Sequence, residues 1–160
     1  MISLKRKETG FTIVELLIVI IVIGILAALV LVTFTGVQQK ARNTERTTDV
    51  KAIASHLEVY YANQGYYPDS ASLTDTTANA VTGFIAANLK GLDKEALRDP
   101  KGTDYFLNAG DADSKHYGYV PSKSGGGACD NTVAGSECAS FVLTYLPEGG
   151  TLQTINSLSN

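Results

Sequence analysis

At 160 residues, 44% of them hydrophobic, and with a formal net charge of −3, the chain has the size of one small domain with an appendage. Beyond the basic start at residues 5–8, 10 basic residues face 15 acidic ones. That balance argues against direct nucleic-acid binding by the isolated head, because duplex affinity comes mainly from neutralising phosphates. No G-x-S-x-G, P-loop or H-E-x-x-H motif occurs, and no catalytic constellation marks an enzyme.

The chain opens with Lys5, Arg6 and Lys7, followed by Glu8, Thr9 and Gly10. From Phe11 to Phe34 run 24 residues with a single charge, Glu15. As a helix this run reaches ~36 Å, enough for a hydrocarbon core of ~30 Å with some tilt. A secretory signal would have a shorter apolar region and a small-residue cleavage site behind it. Here the small residue, Gly10, lies in front. An uncleaved anchor with basic residues inside accounts for Lys5–Lys7. It does not account for Glu15, since ionisable residues inside a membrane usually have a partner.

The stretch from Lys7 to Leu17, KETGFTIVELL, followed by IVIIVIGILAA, resembles the N-terminus of type IV pilins and the related pseudopilins. The resemblance is close over residues 5 to about 62 and architectural beyond. It implies that a prepilin peptidase cuts between Gly10 and Phe11 on the cytoplasmic face and that Phe11 becomes N-methylated. It also implies that Glu15 pairs with the N-terminal amine of an adjacent copy during assembly. The implied partners are other copies of the chain in a helical filament, the membrane before assembly, and the inner-membrane assembly machinery. The implied location is the cytoplasmic membrane, head outside, then an extracellular filament. Residues 1–10 would be a removed leader and 11–36 a transmembrane and filament-core helix. Residues 37–62 would continue that helix in amphipathic form, and 63–160 would be the head. One departure stands out: the family often has a proline late in the apolar run, where this chain reads LVLVTFTG around Val32. Without proline, no backbone donor is lost there.

From Val37 the pattern becomes amphipathic, with Val50, Ile53, Ala54, Leu57 and Tyr61 at helical spacing. Asn63-Gln64-Gly65 is a stop signal, with Pro68 beyond. Residues 78–90 hold Val81, Phe84, Ile85 and Leu89 at helical spacing, and Asp99-Pro100-Lys101-Gly102 reads as a turn. His116 to Val120 alternates like a strand, closed by Pro121. Ser140–Leu146 is the strongest strand, with Phe141, Leu143 and Tyr145 on one face, and a third strand is expected within Thr151–Ile155. The predicted fold is α+β and pilin-like: a long N-terminal helix whose second half packs on a small antiparallel sheet.

Cys129 and Cys138 lie close together beyond a membrane segment, which predicts a disulfide in an oxidising compartment. The alternatives are free thiols or half of a metal site. There is no second cysteine pair, and His56 and His116 are isolated, which argues against zinc. His116 has no obvious carboxylate partner in the sequence, and neither histidine is assigned a catalytic role. Asp99, Asp104, Asp111 and Asp113 crowd a loop-rich stretch. Oxygen-rich loops can hold Ca²⁺, and some major pseudopilins carry calcium in the corresponding part of the head. These four are therefore calcium candidates, against the plainer reading of a solvated acidic loop.

The functional expectation is a type IV pilin that polymerises through its apolar helix into an extracellular pilus. The alternative is a pseudopilin of a type II secretion or DNA-uptake system. A membrane-anchored surface binding module stands further off. The C-terminal cysteine pair leans toward the pilus; the acidic loop and compact head lean toward the pseudopilin.

Overall fold

The computed structural model describes residues 10–77 and 80–159, with only the backbone of Leu31 and Val32. Lys5, Arg6, Lys7 and the rest of the expected leader up to Thr9 lie outside the described residues. So do Ala78 and Asn79, the first two residues of the helix expected over 78–90. The chain divides into two compact units, Met1–Lys40 and Ala41–Asn160.

One helix, α1, runs over Ile13–Gln64, 52 residues. Gly24 and Gly36 lie inside it, so their propensity cost of about 1 kcal/mol each does not end it. It stops where Gly65 takes φ 83° and its N–H bonds back to the Tyr61 carbonyl at 2.7 Å. A residue with a Cβ resists that left-handed turn, so the glycine stop has a steric cause.

In the second unit α1 buries Arg46, Val50, Ile53, Leu57 and Tyr60, spaced at three and four. The position expected for Tyr61 is taken by Tyr60; Tyr61 is half-buried and stacks on Tyr67, ring centres 4.5 Å apart. A short helix α2, Ser70–Thr74, adds Leu73 to the core. Asp69 caps it, accepting from the Ser72 N–H at 2.9 Å. Helix α3, Ala80–Asn88, buries Val81 and Ile85, and Leu89 follows just past its end. A 3₁₀ turn over Lys94–Leu97 adds Leu97. Helix α2 and this turn were not anticipated: at one turn each they are too short to show periodicity. Each large apolar side chain buried here contributes about 1.5–3 kcal/mol relative to exposure.

The sheet has three antiparallel strands in the order β1-β2-β3: β1 Gly118–Lys123, β2 Cys138–Tyr145 and β3 Gln153–Asn156. Tyr119, Phe141 and Leu143 face the core. The first strand differs from its expected bounds. His116 and Tyr117 precede it, and Pro121 sits within it, opposite Phe141, instead of closing it. Pro121 is tolerated because β1 is an edge strand, where one side of the backbone needs no ladder donor. Gly118 fits through size: a Cβ there would lie 2.1 Å from the Gly110 carbonyl oxygen and 2.2 Å from Thr144 Oγ1. The long helix and small antiparallel sheet form the α+β, pilin-like arrangement expected.

Candidate functional site: the capped apolar segment

Within the first unit, α1 presents apolar side chains on every face. One 18-residue window has a mean hydropathy of 3.4 and no buried share. Phe11 is 79% exposed and Ile13 83%. By length and composition this helix can cross a membrane. Among the described residues of its own unit nothing covers it, and an apolar surface of this extent calls for lipid or another protein chain.

The polar groups at its start are arranged as a reciprocal cap. Thr12 precedes the first helical residue. Its Oγ1 accepts from the Glu15 N–H at 3.2 Å, and its own N–H donates to Glu15 Oε2 at 2.8 Å. The Thr12 hydroxyl also donates to Glu15 Oε2 at 2.7 Å. The sequence Thr-Ile-Val-Glu is a capping box, satisfying helix donors that have no partner further up the chain. Sequence reasoning gave Glu15 a newly cut N-terminal amine as its partner and overlooked Thr12. The threonine three residues ahead of the glutamate was the available signal. Gly10 and Phe11, the expected cleavage pair, lie exposed just before this cap, with nothing within 4 Å of a Cβ built at Gly10.

In the second unit the expected sites separate. Cys129 and Cys138 are disulfide-bonded, with Cα atoms 5.1 Å apart. Their loop is docked by Asn131, whose side chain accepts from the Cys138 N–H at 2.9 Å and donates to the Tyr67 carbonyl at 2.8 Å. The four calcium candidates do not converge. Asp99 is fully buried and bound to Arg46, Nε to Oδ2 at 2.6 Å and Nη2 to Oδ1 at 2.9 Å. Asp113 and Asp104 lie on opposite edges of the His116 ring, 3.0 Å from Nδ1 and 3.3 Å from Nε2, so the imidazole holds them apart. Asp111 contributes its backbone carbonyl to Asn108. Among the described residues no group of three or more His, Cys, Asp or Glu side chains is placed to hold a metal ion. His116 therefore has the carboxylate partners its sequence neighbourhood seemed to lack, and Phe106 stacks on its ring at 5.1 Å. Burial would raise the Asp113 carboxyl, but the Lys115 N–H, the His116 ring and Asn108 outweigh it and bring it down to about 2.

A polar cluster missed from the sequence joins α1 to two distant loops. Arg46 also donates to Asn43 Oδ1 at 2.9 Å and to Glu148 Oε1 at 3.3 Å. Glu148 receives Arg42 through Nε at 2.5 Å and Nη2 at 2.9 Å, and Lys101 at 2.8 Å. Hydrogen bonds from Arg42 and Lys101 hold the Glu148 carboxyl far below the usual carboxylate range. One turn along, burial pushes Asp49 up to about 6, against a hydrogen bond from the Tyr117 hydroxyl at 3.0 Å and with Glu45, Asp99 and Asp93 adding to the rise.

Residues 5–31 match the family model described as the prokaryotic N-terminal methylation motif. Several type II secretion system core proteins G are similar along most of their length. The one from Vibrio cholerae is 32% identical over 109 residues, covering 66% of this chain and 75% of that protein. The one from Escherichia coli K12 is 34% identical, covering 63% and 72%, and the one from Pseudomonas aeruginosa is 32% identical, covering 63% and 73%. No solved structure matches significantly. A methylation motif on the apolar segment, and about a third of residues identical over three quarters of a relative's length, place this chain in the type II secretion system core protein G family.

Proposed function

We propose that the chain is a structural subunit of the filament of a type II secretion system, a pseudopilin with no enzymatic role. The observation that carries this is the match to secretion core proteins G over about three quarters of their length. It favours the alternative named from the sequence over the extracellular pilus named first. In this reading residues 11–36 rest in the cytoplasmic membrane, held with the head outside by Lys5–Lys7 on the inner face. The prepilin peptidase removes residues 1–10 and Phe11 is N-methylated. Assembly then exchanges lipid around the apolar segment for the same segment of other copies, in a heterologous contact that repeats as an open helix. Glu15 sets the register by meeting the new N-terminal amine of a neighbour, since a carboxylate left unpaired in that bundle is unfavourable. Residues 37–62 carry the helix into the head formed by 63–160.

The test is deletion of the gene in its host. Loss of secreted proteins from the medium is the expected result. Intact secretion with loss of long surface fibres, seen by electron microscopy, would restore the pilus reading. Mass spectrometry of the purified chain addresses processing: a start at methylated Phe11 is expected, whereas a start at Met1 would point instead to a membrane-anchored binding module.

A further inference from the structure

Residues 148–159 carry little of the apolar core. In β3 three of four residues are exposed, and Ile155 is partly buried. Leu158 is 85% exposed and Leu152 37%. Four residues pair β3 with β2, against six for β1. Beyond that ladder and Ile155, what fastens this segment lies at its ends and is polar. At one end the Glu148 carboxylate holds Arg42, Arg46 and Lys101, while its backbone N–H donates to Asn43 Oδ1 and its carbonyl accepts from Asn43 Nδ2. At the other end the Leu158 N–H donates to Glu58 Oε1 at 2.9 Å, and the Tyr67 hydroxyl donates to Glu58 Oε2 at 2.8 Å. Ser157 adds bonds to the Phe141 backbone. Both end contacts land on α1, at residues 42–46 and at residue 58.

We infer that residues 148–159 are a strap that opens as a unit while the rest of the head stays folded, and that the Glu148 cluster is its closing clasp. Segments with little buried apolar area open at lower free energy than the core around them. Because the Glu148 clasp is ionic and partly exposed, at Arg42 29%, Glu148 17% and Lys101 48% of the side chain, salt weakens it. Opening uncovers the free edge of β2 over Val142–Tyr145, a row of backbone donors and acceptors able to pair with another strand.

Hydrogen exchange on the full chain in detergent micelles tests it. In the wild type the β3 amides that pair with β2 should exchange at least tenfold faster than the paired amides of β1, and faster again as salt is raised. Glu148→Gln should accelerate β3 exchange by a further factor of about ten and leave β1 unchanged. Arg42→Gln removes one partner while keeping the buried Arg46–Asp99 pair, and should act in the same direction; it decides the matter if Glu148→Gln disrupts the whole head. Equal exchange of β3 and β1 in the wild type overturns the strap. Unchanged β3 exchange in Arg42→Gln overturns the clasp.

Discussion

Between Val14 and Val30 every side chain of α1 is exposed, whereas between Arg46 and Tyr60 five side chains of the same helix are buried. Both stretches keep the helical backbone, so helix formation does not distinguish them. The difference lies in who supplies the cover. The first stretch is apolar all round and gets none from the described residues of its own unit. The second has one apolar stripe, covered by α2, α3, the 3₁₀ turn and the sheet. Their polar groups follow the same division. The first solves its needs within four residues, Thr12 to Glu15. The second does so across separations of 53 and 102 residues, Arg46 to Asp99 and to Glu148. On the proposed reading the first stretch changes surroundings, and it carries its polar partners with it; the second, packed in the head, draws on distant ones.

The largest effect should come from breaking the long-range side of this comparison. Arg46→Ala leaves Asp99 buried without its partner and should cost about 3–5 kcal/mol of head stability, read by chemical denaturation of the chain in micelles. Next, replacing Cys129 and Cys138 by serine opens a loop of about ten residues and should cost roughly 2.5–3 kcal/mol in the same assay. A head as stable without the disulfide would show that Asn131 alone docks the loop.

A smaller effect is expected from pH. With Asp49 raised to about 6, above the ordinary ~3.9, the folded head holds a proton that the unfolded chain releases. Stability should therefore rise as pH falls from neutral toward that ordinary value. Glu148 and Asp113 are depressed, so their contribution is present above ordinary carboxylate values and lost as pH falls below them. A stability maximum between pH ~4 and ~6 follows. Asp49→Asn, which still accepts from Tyr117, should flatten the acid-side rise, and thermal melting across pH checks it.

The smallest effects on the head should come from the local side. Thr12→Val removes the cap's hydroxyl and should cost about 1 kcal/mol at the helix start, seen as faster amide exchange at residues 13–15 with head unfolding unchanged. Glu15→Ala should likewise leave head stability alone, and the chain should still be cut and inserted, yet yield few filaments. Normal filament yield from that variant would remove Glu15 from assembly.

The parts of the fold visible in the sequence are those where one environment repeats along the chain. The run from Phe11 to Phe34 is uniform, so its character shows in composition. Val50, Ile53 and Leu57 repeat one face of a helix against a fixed core, so they show in spacing. Phe141 and Leu143 do the same in a strand. What could not be read depends on pairs far apart. Arg46 occupies a core-facing position as a charge, and only the folded chain brings Asp99 and Glu148 to it. For the same reason Asp99 counted as a loop acid. His116 counted as isolated for a different one: Asp113 stands only three residues before it, and it takes the fold of the loop to lay that carboxylate against the ring. The choice of Tyr60 over Tyr61 turned on a fraction of a helical turn, which a string of letters cannot resolve.

The cap at Thr12 and Glu15 has one more consequence. A cut between Gly10 and Phe11 leaves both members of the cap on the same product, and the Thr12 N–H remains an amide donor after the bond is broken. The instruction for where the helix begins would therefore be written entirely inside the part that such a cut keeps. Precursor and product can share one helix start, so the peptidase would remove a tail without asking the segment in the membrane to refold.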